Sequence, residues 1–466
     1  MARQKQSTDN GLMEKVVALA KRRGFIFPSS EIYGGLAATY DYGPLGVELK
    51  NNIKQAWWKM FVTDRPDMVG IDAAIIMHPK VWEASGHIQN FSDPLVDCKQ
   101  CKRRYRADHL LSADSLSPQY DKAQAPELDN IKCPECGGEL TAARNFNLMF
   151  KTHMGPVEDE GAEVYLRPET AGGMFVNFKN IVDTMRMRIP FGMGQVGKAF
   201  RNEITTENFI FRTREFEQLE VEYFIHPQDW QKHFADWLKI MDDWCEFIGV
   251  PKENYVKVEI DEKDRAFYSK RTVDFEYKYP FGQKELYGLA YRTDYDLTQH
   301  AKFSKQDLTY TDPITKEKYI PHVIEPSLGL DRSVLACLLS AYTEIAGGRS
   351  TTTDAIKDIE VVLRLPYVLA PIKVAILPLS KKEPLANLAK EIDELLRPHW
   401  RTMYDETASI GKRYRRQDEI GTPYCVTVDF DSLADGQVTV RDRDTMEQVR
   451  IAITELPDYF KNKLNF

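Results

Sequence analysis

Two strand-like runs, residues 196–203 and 214–224, are joined by a polar loop and constrain the fold of this 466-residue chain more than any other feature. Side chains of a strand alternate between faces with period two. On the first run Arg201 and Glu203 then share a face. On the second, Arg214, Phe216, Gln218, Glu220 and Glu222 share one face, and Leu219, Val221 and Tyr223 the other. The apolar face must pack on a core, so the runs are expected to pair as antiparallel neighbours. The polar face has two readings at this point. A solvent-facing strand gives the same alternation. A ligand site fits too, because a ring among charges stacks on a base, arginine neutralises phosphate and carboxylates hydrogen-bond amines.

A second constellation is Glu325-Pro326-Ser327-Leu328-Gly329-Leu330-Asp331-Arg332. Residues 319–325 read as a strand, a tight turn follows, and Leu330, Val334 and Leu338 begin a helix. Glu325 and Ser327, two apart, point into one cavity; Gly329 lets backbone approach a ligand; Arg332 in the first helical turn reaches an anion. The plainer alternative is a simple strand–helix connection with Ser327 near the helix N-cap.

The rest of the chain predicts a large mixed domain followed by a small one. Leu12, Val16 and Leu19 recur at helical spacing and Gly24 closes that helix. After Gly43-Pro44, the residues Leu45, Leu49, Ile53, Trp57 and Phe61 form one helical stripe. Residues 68–77 read as a buried strand, 230–248 as a helix, and 255–300 as short strands and turns. From about residue 366 strands alternate with helices. A strand at 372–377 precedes a helix carrying Leu385, Leu388, Ile392 and Leu395. A helix at 410–420 precedes a strand at 424–428, and 438–453 reads as a hairpin. That pattern implies a separate small α/β domain.

A formal charge of −8 argues against coating nucleic acid by bulk electrostatics. It leaves room for one RNA bound at local basic patches such as Lys102-Arg103-Arg104 or Lys412-Arg413-Tyr414-Arg415-Arg416, each of which, taken alone, better suits a solvated face. No apolar run approaches the roughly 20 residues that span a bilayer, and the N-terminal stretch does not read as a secretory signal. The seven cysteines form no disulfide framework, which favours a reducing compartment, the cytoplasm.

Within a Cys- and Lys-rich stretch, residues 92–150, Cys98-Lys99-Gln100-Cys101 and Cys133-Pro134-Glu135-Cys136 form CxxC…CxxC with 31 residues between. Two such turns complete a closed tetrahedral zinc site, structural rather than catalytic. The long spacer calls for an extra hairpin. An insertion that has kept its cysteines without metal, or a redox pair, is the alternative.

Taken together these residues resemble a known family. Phe200-Arg201-Asn202-Glu203, a loop, then Arg212-Thr213-Arg214-Glu215-Phe216 resembles motif 2 of class II aminoacyl-tRNA synthetases. Gly329-Leu330-Asp331-Arg332 resembles motif 3, and the helix 45–61, the strand 68–77 and Pro79 resemble motif 1. The resemblance narrows to homodimeric glycyl-tRNA synthetases. It is carried by Tyr40-Asp41-Tyr42-Gly43-Pro44-Leu45-Gly46, Trp82-Glu83-Ala84-Ser85-Gly86-His87, Arg106-Ala107-Asp108, Leu166-Arg167-Pro168-Glu169-Thr170-Ala171, Arg292-Thr293-Asp294-Tyr295-Asp296-Leu297 and Val323-Ile324-Glu325-Pro326-Ser327. It spans nearly the whole chain. Two departures are Gly172, where the family usually has Gln, and the loop Thr205-Thr206-Glu207-Asn208, where Pro and a Gly or Arg are common.

The resemblance implies an α+β class II catalytic domain with an antiparallel sheet at 1–365, containing the Cys-rich zinc-binding insertion at 92–150, and an α/β anticodon-binding domain at 366–466. It implies ATP-dependent attachment of glycine to tRNA(Gly) through glycyl-adenylate by a homodimer, with Mg2+ beside ATP and structural Zn2+ in the insertion. Arg201 would hold the α-phosphate and the attacking carboxylate, Glu203 the adenine amine, and Phe216 would stack on adenine. Arg212 and Arg332 would bind the β- and γ-phosphates, with Asn202, Phe211, Leu286 and Gly329 completing the ATP site and Glu285 facing Mg2+. Glycine would lie among Glu169, Glu220, Glu325 and Ser327, with Arg106, Phe216, Gln218 and Arg292 nearby. Two other readings compete. A non-catalytic nucleic-acid-binding accessory protein on this fold would typically lose the motif arginines, yet Arg201, Arg212 and Arg332 are present. A synthetase for threonine, serine or proline is the other, but a threonine enzyme would need zinc ligands at the catalytic cavity.

Overall fold

The computed structural model describes residues 11–110, 131–156, 158, 160–204, 206, 208–347, 349 and 359–464. Helix α1, Leu12–Arg23, buries Val16, Leu19 and Ala20 and ends at Gly24, whose φ of 74° and backbone N–H to Ala20 and Lys21 carbonyls make a left-handed cap. Helix α2, Pro44–Trp58, starts on a proline whose missing N–H costs nothing in a first turn. It continues as a wider π-type turn at Lys59–Thr63, and its predicted stripe from Leu45 to Phe61 is buried throughout.

The centre is a seven-stranded sheet. In chain order its strands are β1 Met68–Gly70, β2 Phe191–Phe200, β3 Glu215–Ile225, β4 Tyr255–Glu259, β5 Arg271–Tyr279, β6 Gly282–Thr293 and β7 His322–Gly329, arranged β4-β5-β6-β7-β3-β2-β1. Every pairing is antiparallel except β2 with β1. Helix α3, Trp230–Phe247, and helix α4, Leu330–Ala341, join α2 behind this sheet, where Leu219, Val221 and Tyr223 meet Trp57, Trp237, Met241 and Leu338. The alternation read along 214–224 is therefore correct, and its apolar face is the core face.

Several boundaries differ from the sequence reading. Strand β2 starts at Phe191 and stops at Phe200, leaving Arg201 to Glu203 in irregular backbone. Its first half escaped notice because Gly192, Gly194 and Gly197 interrupt the alternation. Each is small for a steric reason: a Cβ there would collide with Met68, Val62 and Arg167 respectively. Residues 68–77 are not one buried strand but β1 plus a two-residue strand, Ile76–Met77, with Ile75 and Ile76 exposed. Strand β7 runs through Ser327 to Gly329 and passes directly into α4 without a tight turn; Gly329, not Ser327, is the N-cap. The stretch 255–300 holds long strands rather than short ones.

The C-terminal unit is a five-stranded sheet. Thr402–Tyr404, Val374–Pro378 and Tyr424–Val428 lie parallel, and Gln437–Asp442 and Gln448–Ala452 extend it antiparallel. In its helix Glu383–Leu396 the buried stripe is Leu385, Ala389, Ile392 and Leu396, while Leu395 is exposed. The boundary expected at 365/366 falls beside contacts with the larger unit. Leu369, Ile372 and Ile420 pack into its core, and the Asn52 amide of α2 donates to the carbonyls of Leu369 and Ala370 at 3.1 and 3.0 Å.

The insertion is a three-stranded antiparallel sheet with Ser92–Asp97 between Arg104–Arg106 and Arg144–Asn147. An extra hairpin was expected in its spacer, most of which, residues 111–130, lies outside the described residues.

Candidate active site

A cavity of about 360 Å3 opens on the front of the sheet, over β3, β6 and the β7–α4 junction. Of the residues expected around ATP, Arg201, Glu203, Phe211, Arg212, Phe216, Glu285, Leu286, Gly329 and Arg332 line it. Asn202 does not; its backbone N–H bonds the Leu148 carbonyl at 2.7 Å. The polar face of β3 is thus a lined site and not a solvated one.

The arginines are held by backbone and rings. Arg201 donates from Nε to the Pro168 carbonyl at 3.0 Å, with Phe91 and Phe216 rings 5.3 and 5.2 Å from its guanidinium carbon. Arg332 stacks on Phe211 at 4.5 Å, donates to the Glu285 carbonyl at 3.0 Å and pairs with the Glu285 carboxylate at 3.1 Å. Burial raises the Glu285 pKa, but Arg332, Arg201 and Arg212 outweigh it and hold the carboxyl below its usual range. Arg212 has a buried Nη1 with no hydrogen-bond partner. An unpaired buried donor is costly unless an anion takes it. Such a set of guanidiniums, with a ring for a base, suits a triphosphate nucleotide.

The residues expected around glycine divide into two layers. Arg106, Phe216, Gln218 and Ser327 line the cavity. Glu169, Glu220, Arg292 and Glu325 lie buried beneath it. The sheet register explains the join: β3 and β7 set Glu220 opposite Ser327, and β6 and β7 set Ala290 opposite Glu325. Ser327 Oγ donates to Glu220 Oε1 at 2.8 Å, Gln218 Nε2 donates to the same oxygen at 3.2 Å, and Thr170 Oγ1 donates to Glu220 Oε2. Arg292 donates to both oxygens of Asp296 at 2.8 Å and to Glu325 at 2.9 Å, under the Tyr268 ring at 3.8 Å. Arg106 pairs with Asp93 and Asp108, both at 2.7 Å.

Carboxylates crowd this floor. Oxygens of Glu220, Glu222 and Glu325 lie within 4.8 Å of one another. Glu222 is 0% exposed and neither of its oxygens has a partner. Burial, then the charge of Glu325, push its pKa well up. Burial also pushes Glu169 up, yet His87, Arg292 and Arg201 prevail and hold it at about 2. A small floor of this kind attracts a compact cation such as an ammonium group.

Sequence reasoning missed His87, Thr170, Tyr268, Asp296 and the role of Glu222. His87, Thr170 and Asp296 lay inside quoted motifs without an assigned part; Tyr268 comes from a loop with no periodic signal. Gly172 packs under Trp82, whose ring atoms a Cβ would meet at 3.1 and 3.3 Å, so a side chain there requires that ring to give way by a few tenths of an ångström. In the other departure, Thr205 and Glu207 lie outside the described residues. The run 412–416 is not a free basic patch: Arg413 is 2% exposed and donates to Pro378 and Asp405 carbonyls, and Arg416 pairs with Asp405. In the other run, Arg103 pairs with Glu135 and Arg104 with Asp97.

The four insertion cysteines converge. Their sulfurs lie within 4.8 Å of one another, with Cys98–Cys136 at 3.5 Å and Cys101–Cys133 at 3.7 Å. Four thiolates ~2.3 Å from one zinc have sulfur–sulfur edges of ~3.8 Å, so the set fits that metal.

Comparison with known proteins decides the family. Residues 150–342 match the model of the tRNA synthetase class II core domain (G, H, P, S and T), and 373–463 that of an anticodon binding domain. The chain is 56% identical over 465 residues to the glycine–tRNA ligase of Acetivibrio thermocellus, covering 97% of this chain and 99% of the relative. Identity is 54% with the same enzyme of Alkaliphilus oremlandii, over 97% of this chain and 99% of that one. This chain belongs to the glycine–tRNA ligase family. The ligase of Geobacillus thermodenitrificans, 54% identical over 97% and 98% of the two chains, agrees. A crystal structure of prolyl-tRNA synthetase from Cryptosporidium parvum, complexed with halofuginone and AMPPNP, superposes with a TM-score of 0.60 at 15% identity over 96% of this chain and 74% of that one, a likeness of fold. A class II core followed by an anticodon-binding domain is therefore the architecture of this ligase. Neither the accessory reading nor a ligase for another amino acid finds support.

Proposed function

We propose that this glycine–tRNA ligase activates glycine in the cavity over β3 and its carboxylate floor, then passes the glycyl group to tRNA(Gly). One observation carries the reading: three arginines expected from two motifs converge on a cavity whose floor is a buried carboxylate cluster. The glycine carboxylate attacks the α-phosphorus of ATP, pyrophosphate leaves, and the terminal ribose hydroxyl of tRNA then displaces AMP from the carbonyl. No protein nucleophile is needed; positioning and charge stabilisation suffice. Arg201 holds the α-phosphate and attacking carboxylate, Arg212 and Arg332 the outer phosphates, Phe216 the adenine face and Glu203 its amine. Glu285 would hold Mg2+, which offsets phosphate charge when bound. Residues 366–466 read the anticodon.

Glycine is selected by exclusion. One extra methyl in a permissive pocket changes binding by only ~1–3 kcal/mol, so a wall is required. Glu220, expected to form part of it, lies behind Ser327; Ser327 and Gln218 face the cavity. Ser327→Gly opens that wall and frees Glu220. Pyrophosphate exchange should show a lower glycine rate and a several-fold higher alanine-to-glycine ratio. An unchanged ratio places the wall elsewhere.

Zinc in the insertion rests on the sulfur geometry. Protein made with zinc and never exposed to chelator is expected to carry about one zinc per chain. Metal analysis finding none contradicts it.

Homodimerisation is supported by the exposed Ile75 and Ile76 within the motif 1 stretch 68–77 and by a hollow on α2 where Trp58 and Val196 lie among Lys54, Gln55, Lys59 and Thr63. Light scattering tests it, a mass of 53.7 kDa at micromolar concentration opposing it. Free cysteines throughout support a cytoplasmic setting. Among the described residues no helix is long and apolar enough to cross a membrane.

A further inference from the structure

Trp82-Glu83-Ala84-Ser85-Gly86-His87 lines neither the cavity nor the phosphate site, yet its last residue touches the carboxylate floor. His87 Nε2 lies 3.3 Å from Glu169 Oε2, and His87 Nδ1 lies 2.8 Å from Ser85 Oγ. All three side chains are buried. The other oxygen of Glu169, Oε1, is buried and has no hydrogen-bond partner. A carboxylate desolvated in that way is costly unless a ligand donates to it. The imidazole is itself fixed on two sides, edge-on to Trp82 with centroids 5.6 Å apart and against Phe91 at 5.4 Å. Phe91 is the ring beneath Arg201. The segment is tied down by Asn147, whose amide donates to the carbonyls of His87 and Ile88 at 3.3 and 3.0 Å.

We propose that His87 is a positioning residue for glycine recognition: it occupies Oε2 of Glu169 and so turns Oε1 toward the glycine ammonium group, while its contact with Phe91 keeps this anchor in register with Arg201 at the carboxylate end. The inference rests on the placement of glycine over the Glu169–Glu220–Glu325 floor. Nε2–H donates to Glu169, and Nδ1 shares a hydrogen bond with the Ser85 hydroxyl, which also reaches the Trp82 carbonyl at 3.4 Å. A partner on each ring nitrogen fixes the orientation of the imidazole. Without the imidazole, Glu169 is free to rotate toward other donors, including Arg201 and Arg292, and its oxygen is no longer held ready for an ammonium group.

The test is glycine-dependent ATP–pyrophosphate exchange by the full-length enzyme, with glycine and ATP varied separately. His87→Leu should raise the glycine KM roughly tenfold or more, the order expected for losing support to a charged hydrogen bond, and leave the ATP KM within about twofold. His87→Gln, whose amide nitrogen reaches where Nε2 stood, should recover most of the loss; His87→Asn, which reaches only toward Ser85, should not. If His87→Leu fails to fold, the Gln and Asn variants carry the comparison. Parallel rises in both KM values, an unchanged glycine KM, or equal behaviour of Gln and Asn overturns the proposal. Glu169→Gln in the same assay separates the two layers. A raised glycine KM there with none in the His87 variants sinks only the His87 role. An unchanged glycine KM in Glu169→Gln removes the placement of glycine itself.

Discussion

Replacing Arg201 by Ala should lower glycine-dependent pyrophosphate exchange by at least ~10²–10³, the range seen when a preorganised donor to developing charge is removed, while the protein stays folded. Arg201 stands just past the end of β2, its backbone N–H bonded to the Arg214 carbonyl at 2.9 Å. Its side chain uses one Nε–H on Pro168 and otherwise lies between the rings of Phe91 and Phe216. Among the described residues no carboxylate sits within 4.0 Å of it as an ion-pair partner. A guanidinium so placed is kept for an anionic ligand, and its loss strips no internal ion pair. Lysine should restore little, because a point charge replaces a planar fork that holds two oxygens at once. Circular dichroism and the melting midpoint check folding. Exchange near the wild-type rate in folded Arg201→Ala would remove Arg201 from its role.

Arg292→Ala should destabilise the fold by ~3–5 kcal/mol, the usual result of stripping one partner from a buried ion pair. The side chain is 1% exposed and satisfies Asp296 and Glu325 at once. Burial opposes its charge, but Asp296 and Glu325 prevail, and its pKa stands well above the ordinary value. Alanine leaves both carboxylates facing Glu222 and Glu220 with no cation among them. Urea unfolding at pH 7.5 reads the loss. A loss below ~1 kcal/mol would show that the pair does not hold the floor together.

The parts of this molecule with a regular period were legible in the sequence. Phe216, Gln218 and Glu220 fell on one face because β3 alternates without a bulge, and Leu219, Val221, Tyr223 and Ile225 hold its opposite face to the core. The stripe from Leu45 to Phe61 did the same for α2. Legibility failed where packing suppressed the pattern: Gly192, Gly194 and Gly197 make β2 look weak because neighbouring side chains fill the space of their missing Cβ atoms. It failed again where charge was mistaken for exposure, as with Arg413, whose guanidinium serves buried carbonyls. His87 and Tyr268 come from connections between regular elements, where spacing has no period to read. The polar face of β3 was ambiguous until the fold brought Phe91, just before the insertion, Arg106 within it and Glu285 of β6 around to line the same cavity. Nothing local to the strand distinguishes a roofed polar face from a wet one.

The central claim is that this cavity activates glycine and excludes every larger amino acid. Pyrophosphate exchange with ATP, run with each standard amino acid in turn, measures it most directly. Exchange is expected with glycine alone. Comparable exchange with threonine, serine or proline would contradict the account.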